Sequence, residues 1–342
     1  MAASRLGKWS SFHDCRESGL SFMHGAPSAL TVCEKTSPDE STCRRIMPLA
    51  VDTKQQLHRR QLLREEENLD GTMPDSVTKA VLLARGLGKR MRLADPSARL
   101  ANEQVAAADA GMKAMISVGR PFLDFVLSAL ADAGIRKACI VVGPEHTGIR
   151  EYYDSLGARR IAVRFAIQEQ PLGTANAVLA AQEFVAGDSF LVLNSDNYYP
   201  VEALATLRNL GQPGLVAFER KTLIRESNIP RDRVREYALL QVSRDGYLER
   251  IVEKPGALAE CVEEVFISMN CWRFNSSIFY ACEQVPRSSR GEFELTGAVQ
   301  MGIDSLGLRF RAVPVRAGVL DLSYRSDIST VAHRLVHIRP NL

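Results

Sequence analysis

Ala80-Val-Leu-Leu-Ala-Arg-Gly-Leu-Gly-Lys-Arg-Met-Arg92 runs an apolar stretch directly into a glycine turn and a basic cluster. The uninterrupted apolar run, Ala80 to Ala84, reads as a strand covered on both faces, because the polar alternation of a half-exposed strand is missing. Gly86 and Gly88 let main-chain amides approach phosphate oxygens, and Lys89, Arg90 and Arg92 supply charge for a triphosphate. Two commoner phosphate loops are excluded. The GxGxxG pattern fails because Met91 stands where the third glycine belongs, and the Walker A pattern fails because Arg90 follows Gly88-Lys89. A GxG turn by itself is equally consistent with a purely structural turn.

Outward from this turn, further short apolar runs predict strands at Ala138 to Val142, Val163 to Ile167, Phe190 to Asn194 and Leu215 to Phe218. Between the first two strands, Phe122, Phe125, Val126, Ala129, Leu130 and Ala133 recur at helical spacing, with Pro121 opening and Gly134 closing the helix. Helices are also predicted at Thr174 to Phe184, Glu202 to Leu210 and Ser276 to Gln284. Strands alternating with helices imply an α/β fold with a doubly wound, mostly parallel, Rossmann-like sheet. Ala238 to Val242, Leu248 to Val252, Ser268 to Phe274 and Phe310 to Val315 are shorter and partly alternating, so antiparallel additions are expected there.

Residues 1–75 show no sustained period apart from a polar run, Gln55 to Glu67, and are expected to be a poorly structured extension. Met73 leaves open an over-extended start site. The working domain is expected at 76–338.

The 342 residues are 46% hydrophobic and 24% charged, with a net charge of +3, which excludes a strongly basic nucleic-acid groove and an acidic tail. Seven cysteines at irregular spacing form no CxxC pair and read as reduced thiols of a cytoplasmic protein. No run approaches the roughly 18 apolar residues of a membrane span. Neither nucleic acid nor membrane is an expected partner, while assembly into a homo-oligomer is left open.

Three later stretches carry chemistry. Gln168-Glu-Gln-Pro-Leu-Gly-Thr-Ala-Asn-Ala177 follows a strand and opens a helix. The Gln168 amide suits the imide edge of a pyrimidine, or caps the turn, and Gly173 leaves room for a base to approach. Phe190-Leu-Val-Leu-Asn-Ser-Asp-Asn-Tyr-Tyr199 delivers Asp196 at the carboxyl end of a buried strand, in the crevice where such sheets bind ligands, as a ligand for Mg2+. His146 falls in a loop and His333 and His337 on a C-terminal helix; all three are expected to be structural, because no third metal ligand accompanies the pair.

The turn resembles the LxxGxGTRM signature of sugar-1-phosphate nucleotidyltransferases, of the glucose-1-phosphate thymidylyltransferase and uridylyltransferase kind. That resemblance implies transfer of a nucleotidyl group from a nucleoside triphosphate, dTTP or UTP, to a sugar 1-phosphate, with Mg2+ as cofactor and pyrophosphate released. Cytidylyl or guanylyl transfer, or a non-catalytic sensor of nucleotide sugars, are the alternatives. Arg90 takes the arginine position, and Gly111-Met-Lys-Ala-Met-Ile-Ser-Val-Gly-Arg-Pro-Phe resembles the lysine segment, giving Lys113 beside the α-phosphate. By the same resemblance Ala84, Gly86, Gly88, Lys89, Gln168, Gly173 and Thr174 bind the nucleotide. Asp321, in Val319-Leu-Asp-Leu-Ser-Tyr, joins Asp196 on the metal. Tyr237, Glu253, Lys254 and Asn270 face the sugar phosphate, with the antiparallel additions walling the acceptor side. Arg92 to Gly111 is expected to be an irregular flap over the nucleotide. Arg85, Lys89, Ala114, Gly297 and Leu322-Ser323 depart from the family's usual residues.

Overall fold

A computed structural model describes residues 76–253 and 265–342. The extension at 1–75 and Lys254 lie outside the described residues.

Strand β1 (Lys79–Leu83) lies between β2 (Lys137–Val142) and β4 (Phe190–Asn194), parallel to both. Beyond β2 the sheet ends on β3 (Ala162–Ile167), again parallel. Successive side chains of a strand face opposite ways, so β1 feeds two cores. Ala80 and Leu82 join helices Phe122–Asp132, Val201–Arg208 and Asp327–Leu335 on one face, and Val81 joins helices Thr174–Ala180, Ser277–Gln284 and Leu295–Leu306 on the other. Burial on both faces is the reason for the apolar runs. Each fully buried Leu or Phe contributes about 1.5–3 kcal/mol.

The other half of the sheet is built on β9 (Phe266–Phe274), antiparallel to β4 on one side and to β6 (Gly214–Glu219) on the other. A hairpin, β7 (Ala238–Val242) and β8 (Leu248–Val252), adds to β9 through β7. These are the expected antiparallel additions. The last predicted strand is different: β10 (Arg311–Val315) runs parallel to β6. It closes the sheet as an edge strand, where Pro314 is tolerated because its missing N–H costs no central ladder bond.

Two local expectations are also corrected. Thr174 to Phe184 is broken at Ala181 into helices Thr174–Ala180 and Gln182–Val185. Arg92 to Gly111, expected to be an irregular flap, contains helix Asn102–Asp109, whose Gln104 side-chain amide donates to the Ser117 carbonyl at 2.7 Å. Arg325 ties the start of the segment to its end, donating to the Met91 and Arg92 carbonyls at 3.0 and 3.3 Å and to the Asp109 carboxylate. Among the described residues no helix is long and apolar enough to cross a membrane.

Candidate active site

The chain leaves β1 through Ala84, whose N–H donates to the Val141 carbonyl at 2.9 Å. The two glycines of the turn are needed for different reasons. Gly88 has φ +59°, and a Cβ there would stand 2.6 Å from both Cα and O of Gly111. It therefore packs the turn onto the segment leading to Lys113. Gly86 is exposed, with nothing within 4 Å of an added Cβ, and opens onto a cavity of about 310 Å³. Lys89 is exposed and Arg90 half-buried at the far end of the turn.

Lys113 and Asp196 meet across the floor: Lys113 Nζ donates to Asp196 Oδ2 at 2.7 Å. Asp196 follows directly from β4, and the Ser195 hydroxyl fixes that end by donating to the Leu83 carbonyl at 2.8 Å. Just beyond it, β5 (Asn197–Tyr198) pairs antiparallel with β11 (Leu320–Asp321), and Leu322 N–H donates to the Asp196 carbonyl at 2.9 Å. This short ladder brings the second predicted carboxylate beside the first. Asp321 is buried; its Oδ1 accepts from Asn197 Nδ2 at 2.8 Å, and Asn228 clamps its main chain at 2.8 and 2.7 Å.

Asp321 Oδ2 accepts no hydrogen bond. Arg233 Nη2 forms an ion pair with it at 3.2 Å without hydrogen-bond geometry, while Nη1 of the same guanidinium is taken by Asp327, whose two oxygens each lie 3.0 Å away. Burial, and then the nearby charge of Asp196, push the Asp321 carboxyl above the usual carboxylate range, with Arg233 and Lys113 pulling the other way. Two adjacent carboxylates, one with a buried oxygen that accepts no hydrogen bond, fit a hard divalent cation whose shell phosphate oxygens and water would complete. Tyr237 places its buried hydroxyl here as well, and burial followed by the Asp321 charge raises its pKa.

Arg90 pairs with Glu236 and lies over the ring of Tyr324, 5.2 Å from its centroid; Arg233 lies 5.1 Å from the same centroid. Tyr324 in turn donates to Glu236 at 3.3 Å. Arg233, Glu236 and Tyr324 are absent from the sequence-based set. The charged run Arg231 to Glu236, immediately ahead of Tyr237, was the available signal.

Gln168 is buried, and both N–H groups of its amide are committed, to the Gly173 carbonyl at 3.0 Å and to Asn176 Oδ1 at 2.8 Å. Only its oxygen remains to offer. The Cα of Gly173, at φ +117°, is packed against the Phe293 main chain, which a Cβ would meet at 2.5 Å. Thr174 Oγ1 accepts from Leu295 N–H at 2.8 Å and so anchors the start of helix Leu295–Leu306. On the acceptor side Glu253 is half-buried, 3.7 Å from Arg290 Nη2. Asn270 has φ +54°, at an irregularity in the β6 and β9 register, and Tyr199 donates to the neighbouring Met269 carbonyl at 2.6 Å. Asn is among the few residues other than glycine that tolerate this left-handed backbone.

UTP–glucose-1-phosphate uridylyltransferase AglF of Haloferax volcanii is 27% identical over 264 residues, which cover 75% of this chain and 96% of that protein. The bifunctional protein GlmU of Methanococcus vannielii is 29% identical, but only 43% of its length is covered. Among solved structures, UDP-glucose pyrophosphorylase complexed with UDP-glucose superposes with a TM-score of 0.59 at 14% identity, covering 77% of this chain and all of that one, a likeness of fold. Residues 79–313, from the first strand of the turn through most of the last sheet strand, match the nucleotidyl transferase family, and to that family this chain belongs.

Proposed function

We propose that this protein transfers the nucleotidyl group of a pyrimidine nucleoside triphosphate, UTP or dTTP, to a sugar 1-phosphate and releases pyrophosphate. The observation that carries the reading is the meeting of Lys113, Asp196 and Asp321, whose Oδ2 accepts no hydrogen bond, at the carboxyl end of β4. An oxygen of the sugar phosphate attacks the α-phosphorus in line; that P–O bond forms as the bond to the β-phosphate oxygen breaks, and the electron pair leaves with pyrophosphate. Arg90 faces the leaving phosphates. Lys113 offsets charge on the α-phosphate oxygens. Tyr237, Glu253, Lys254 and Asn270 orient the acceptor, converting a collision into a positioned attack.

Asp196 and Asp321 would hold Mg2+, which supplies charge neutralisation at the phosphates. In the chain alone three cations of the site already have an acid: Lys113 has Asp196, Arg90 has Glu236, and Arg233 has Asp321 and Asp327. Arriving phosphates offer Lys113 and Arg90 a second anionic partner, so binding proceeds by exchange of ion pairs.

Gln168 supports a pyrimidine imide. With both donors spent, its oxygen accepts from the N3–H of uracil or thymine, whereas the bare N3 of cytosine would face it lone pair to lone pair. Nucleoside triphosphate chemistry and the buried free thiols Cys139, Cys271 and Cys282 suit a cytoplasmic enzyme.

The test is pyrophosphate release with Mg2+ across the common nucleoside triphosphates and a panel of hexose 1-phosphates. Release confined to UTP or dTTP and lost in Asp196→Asn is expected; silence from folded protein across the whole panel overturns the reading.

A further inference from the structure

The cavity beside the glycine turn has one wall that the chemistry above does not use. Arg85 Nη2 lies 3.4 Å from Glu145 Oε2, while Nε and Nη1 of the same guanidinium are buried with no hydrogen-bond partner. The Arg85 side chain is 7% exposed. Leaving buried guanidinium N–H groups unpaired is costly, which makes them a signal that something outside the chain completes them.

The sequence makes room for this arrangement at Gly143. A Cβ there would stand 2.5 Å from Arg85 Nε and 2.3 Å from Glu145 Oε2, so the absent side chain lets the ion pair lie over the carboxyl end of β2. Arg85, Gly86, Leu87, Arg92, Glu145 and His146 line the cavity, whose volume of about 310 Å³ falls at the small end of ligand pockets. Lys89 and Arg90 follow at the opposite end of the turn. A triphosphate directed towards them leaves the nucleoside end towards Arg85.

Charge separates a base from a phosphate as the occupant of this wall. Its own main-chain N–H, with help from Arg85, keeps the Glu145 carboxyl below its usual range and so ionised. His146 contributes no charge near pH 7: burial lowers its pKa, and Nδ1 accepts from Gly143 N–H at 3.2 Å. Arg92 spends one N–H on the Ala110 carbonyl at 2.8 Å and keeps its charge, so it is Glu145, in ion-pair contact with Arg85, that sets the field at the unpaired N–H groups. A phosphate would meet the Glu145 carboxylate at close range, whereas a neutral, strongly dipolar ring would not.

We propose that Arg85 is a specificity residue that donates its unpaired N–H groups to an exocyclic carbonyl oxygen of the nucleobase, with Glu145 holding the guanidinium in place. This rests on the nucleotidyl-transfer reading and sharpens it. Uracil and thymine each present two ring carbonyls, and adenine presents none. A site built to hydrogen-bond a particular group rejects ligands lacking it, because its own buried donors then stay unpaired.

The experiment is a binding titration of wild type, Arg85→Lys and Arg85→Met with UTP, dTTP, ATP and inorganic tripolyphosphate, which carries no base. For both variants UTP and dTTP affinity is expected to fall about ten- to a hundredfold, while tripolyphosphate affinity stays within about twofold of wild type. Retained tripolyphosphate binding also reports that the variant is folded, and Arg85→Lys keeps charge and bulk if Arg85→Met does not fold. A parallel loss of tripolyphosphate affinity would make Arg85 a phosphate ligand and overturn the proposal, as would undiminished UTP and dTTP affinity. Failure of the underlying reading is separate: wild type would then release no pyrophosphate from any substrate pair.

Discussion

Lys113 Nζ and Asp196 Oδ2 stand 2.7 Å apart, so the cation proposed for a phosphate is held by the acid proposed for a metal. Neither group is free until a ligand arrives. Substituting Lys113→Met therefore has two opposed effects. Turnover is expected to fall about 10²- to 10³-fold through lost stabilisation of the developing charge, while the released Asp196 binds Mg2+ no more weakly than before. Steady-state kinetics paired with a Mg2+ titration checks this; a variant in which metal affinity collapses together with turnover contradicts the exchange.

Asp321 is expected to weaken the metal-free fold. Its carboxyl is buried beside Asp196 and its pKa is raised, so the native state holds a proton more readily than the unfolded chain does. This contribution favours folding below the unfolded pKa of about 3.9 and becomes a cost as pH rises through the folded value. Asp321→Asn removes that cost at neutral pH and leaves Arg233 its pair with Asp327. In chelator the Tm of the variant should equal or exceed that of wild type. Added Mg2+ should raise the Tm of wild type alone. Thermal melts with and without Mg2+ decide it.

Glu236 holds Arg90, and on the proposed function it would compete for it with the nucleotide phosphates. Partly exposed pairs of this kind are worth up to about 1 kcal/mol, so Glu236→Gln is expected to lower the nucleotide KM about two- to fivefold without raising kcat. An unchanged KM would mean that Arg90 is not shared between Glu236 and the phosphates.

The two turn glycines should respond differently. Gly88→Ala forces a side chain into left-handed backbone against Gly111 and is expected to cost about 1–3 kcal/mol of stability. Gly86→Ala meets nothing in the fold and should melt like wild type, with its defect confined to nucleotide affinity. Denaturant unfolding of both variants, alongside nucleotide titration, separates the two roles.

His146 gives the cavity wall a pH limit. Its folded pKa is lowered from the ordinary value of about 6.5, so the native state resists protonation, and the stability it contributes is present above that value and lost as pH falls below it. Protonation also removes the acceptor of Gly143 N–H, a bond worth about 1 kcal/mol. Between pH 7 and 5 wild type should lose stability relative to His146→Gln. A pH-independent difference between the two would remove His146 from this account.

Much of this was legible in the sequence because burial on both faces of a sheet leaves a plain mark. The runs at Ala80, Ala138, Val163 and Phe190 match strands whose ends differ from them by at most one residue. Asp196 was legible for a related reason, as the first acid after a buried strand. Strand direction was not: the period of two in Phe310 to Val315 is the same for either sense, and β10 proved parallel. Helix Asn102–Asp109 was missed because Ala108 is its one buried residue, too little to impose a period. Ion pairs such as Arg85 with Glu145, 60 residues apart, and Arg90 with Glu236, 146 apart, leave no trace in local spacing. For Gln168 the sequence shows only an amide; which of its atoms remain to offer is set by the Gly173 carbonyl and Asn176.

The ladder between β5 and β11 joins Asn197 to Asp321 across 124 residues of chain. While the polypeptide is being made, the glycine turn, Lys113 and Asp196 exist long before their second carboxylate does. Loop closure over so long a span comes late, since its entropy must be met before the contact rewards it. A growing chain can therefore assemble its central parallel strands before Asp196 and Asp321 have come together.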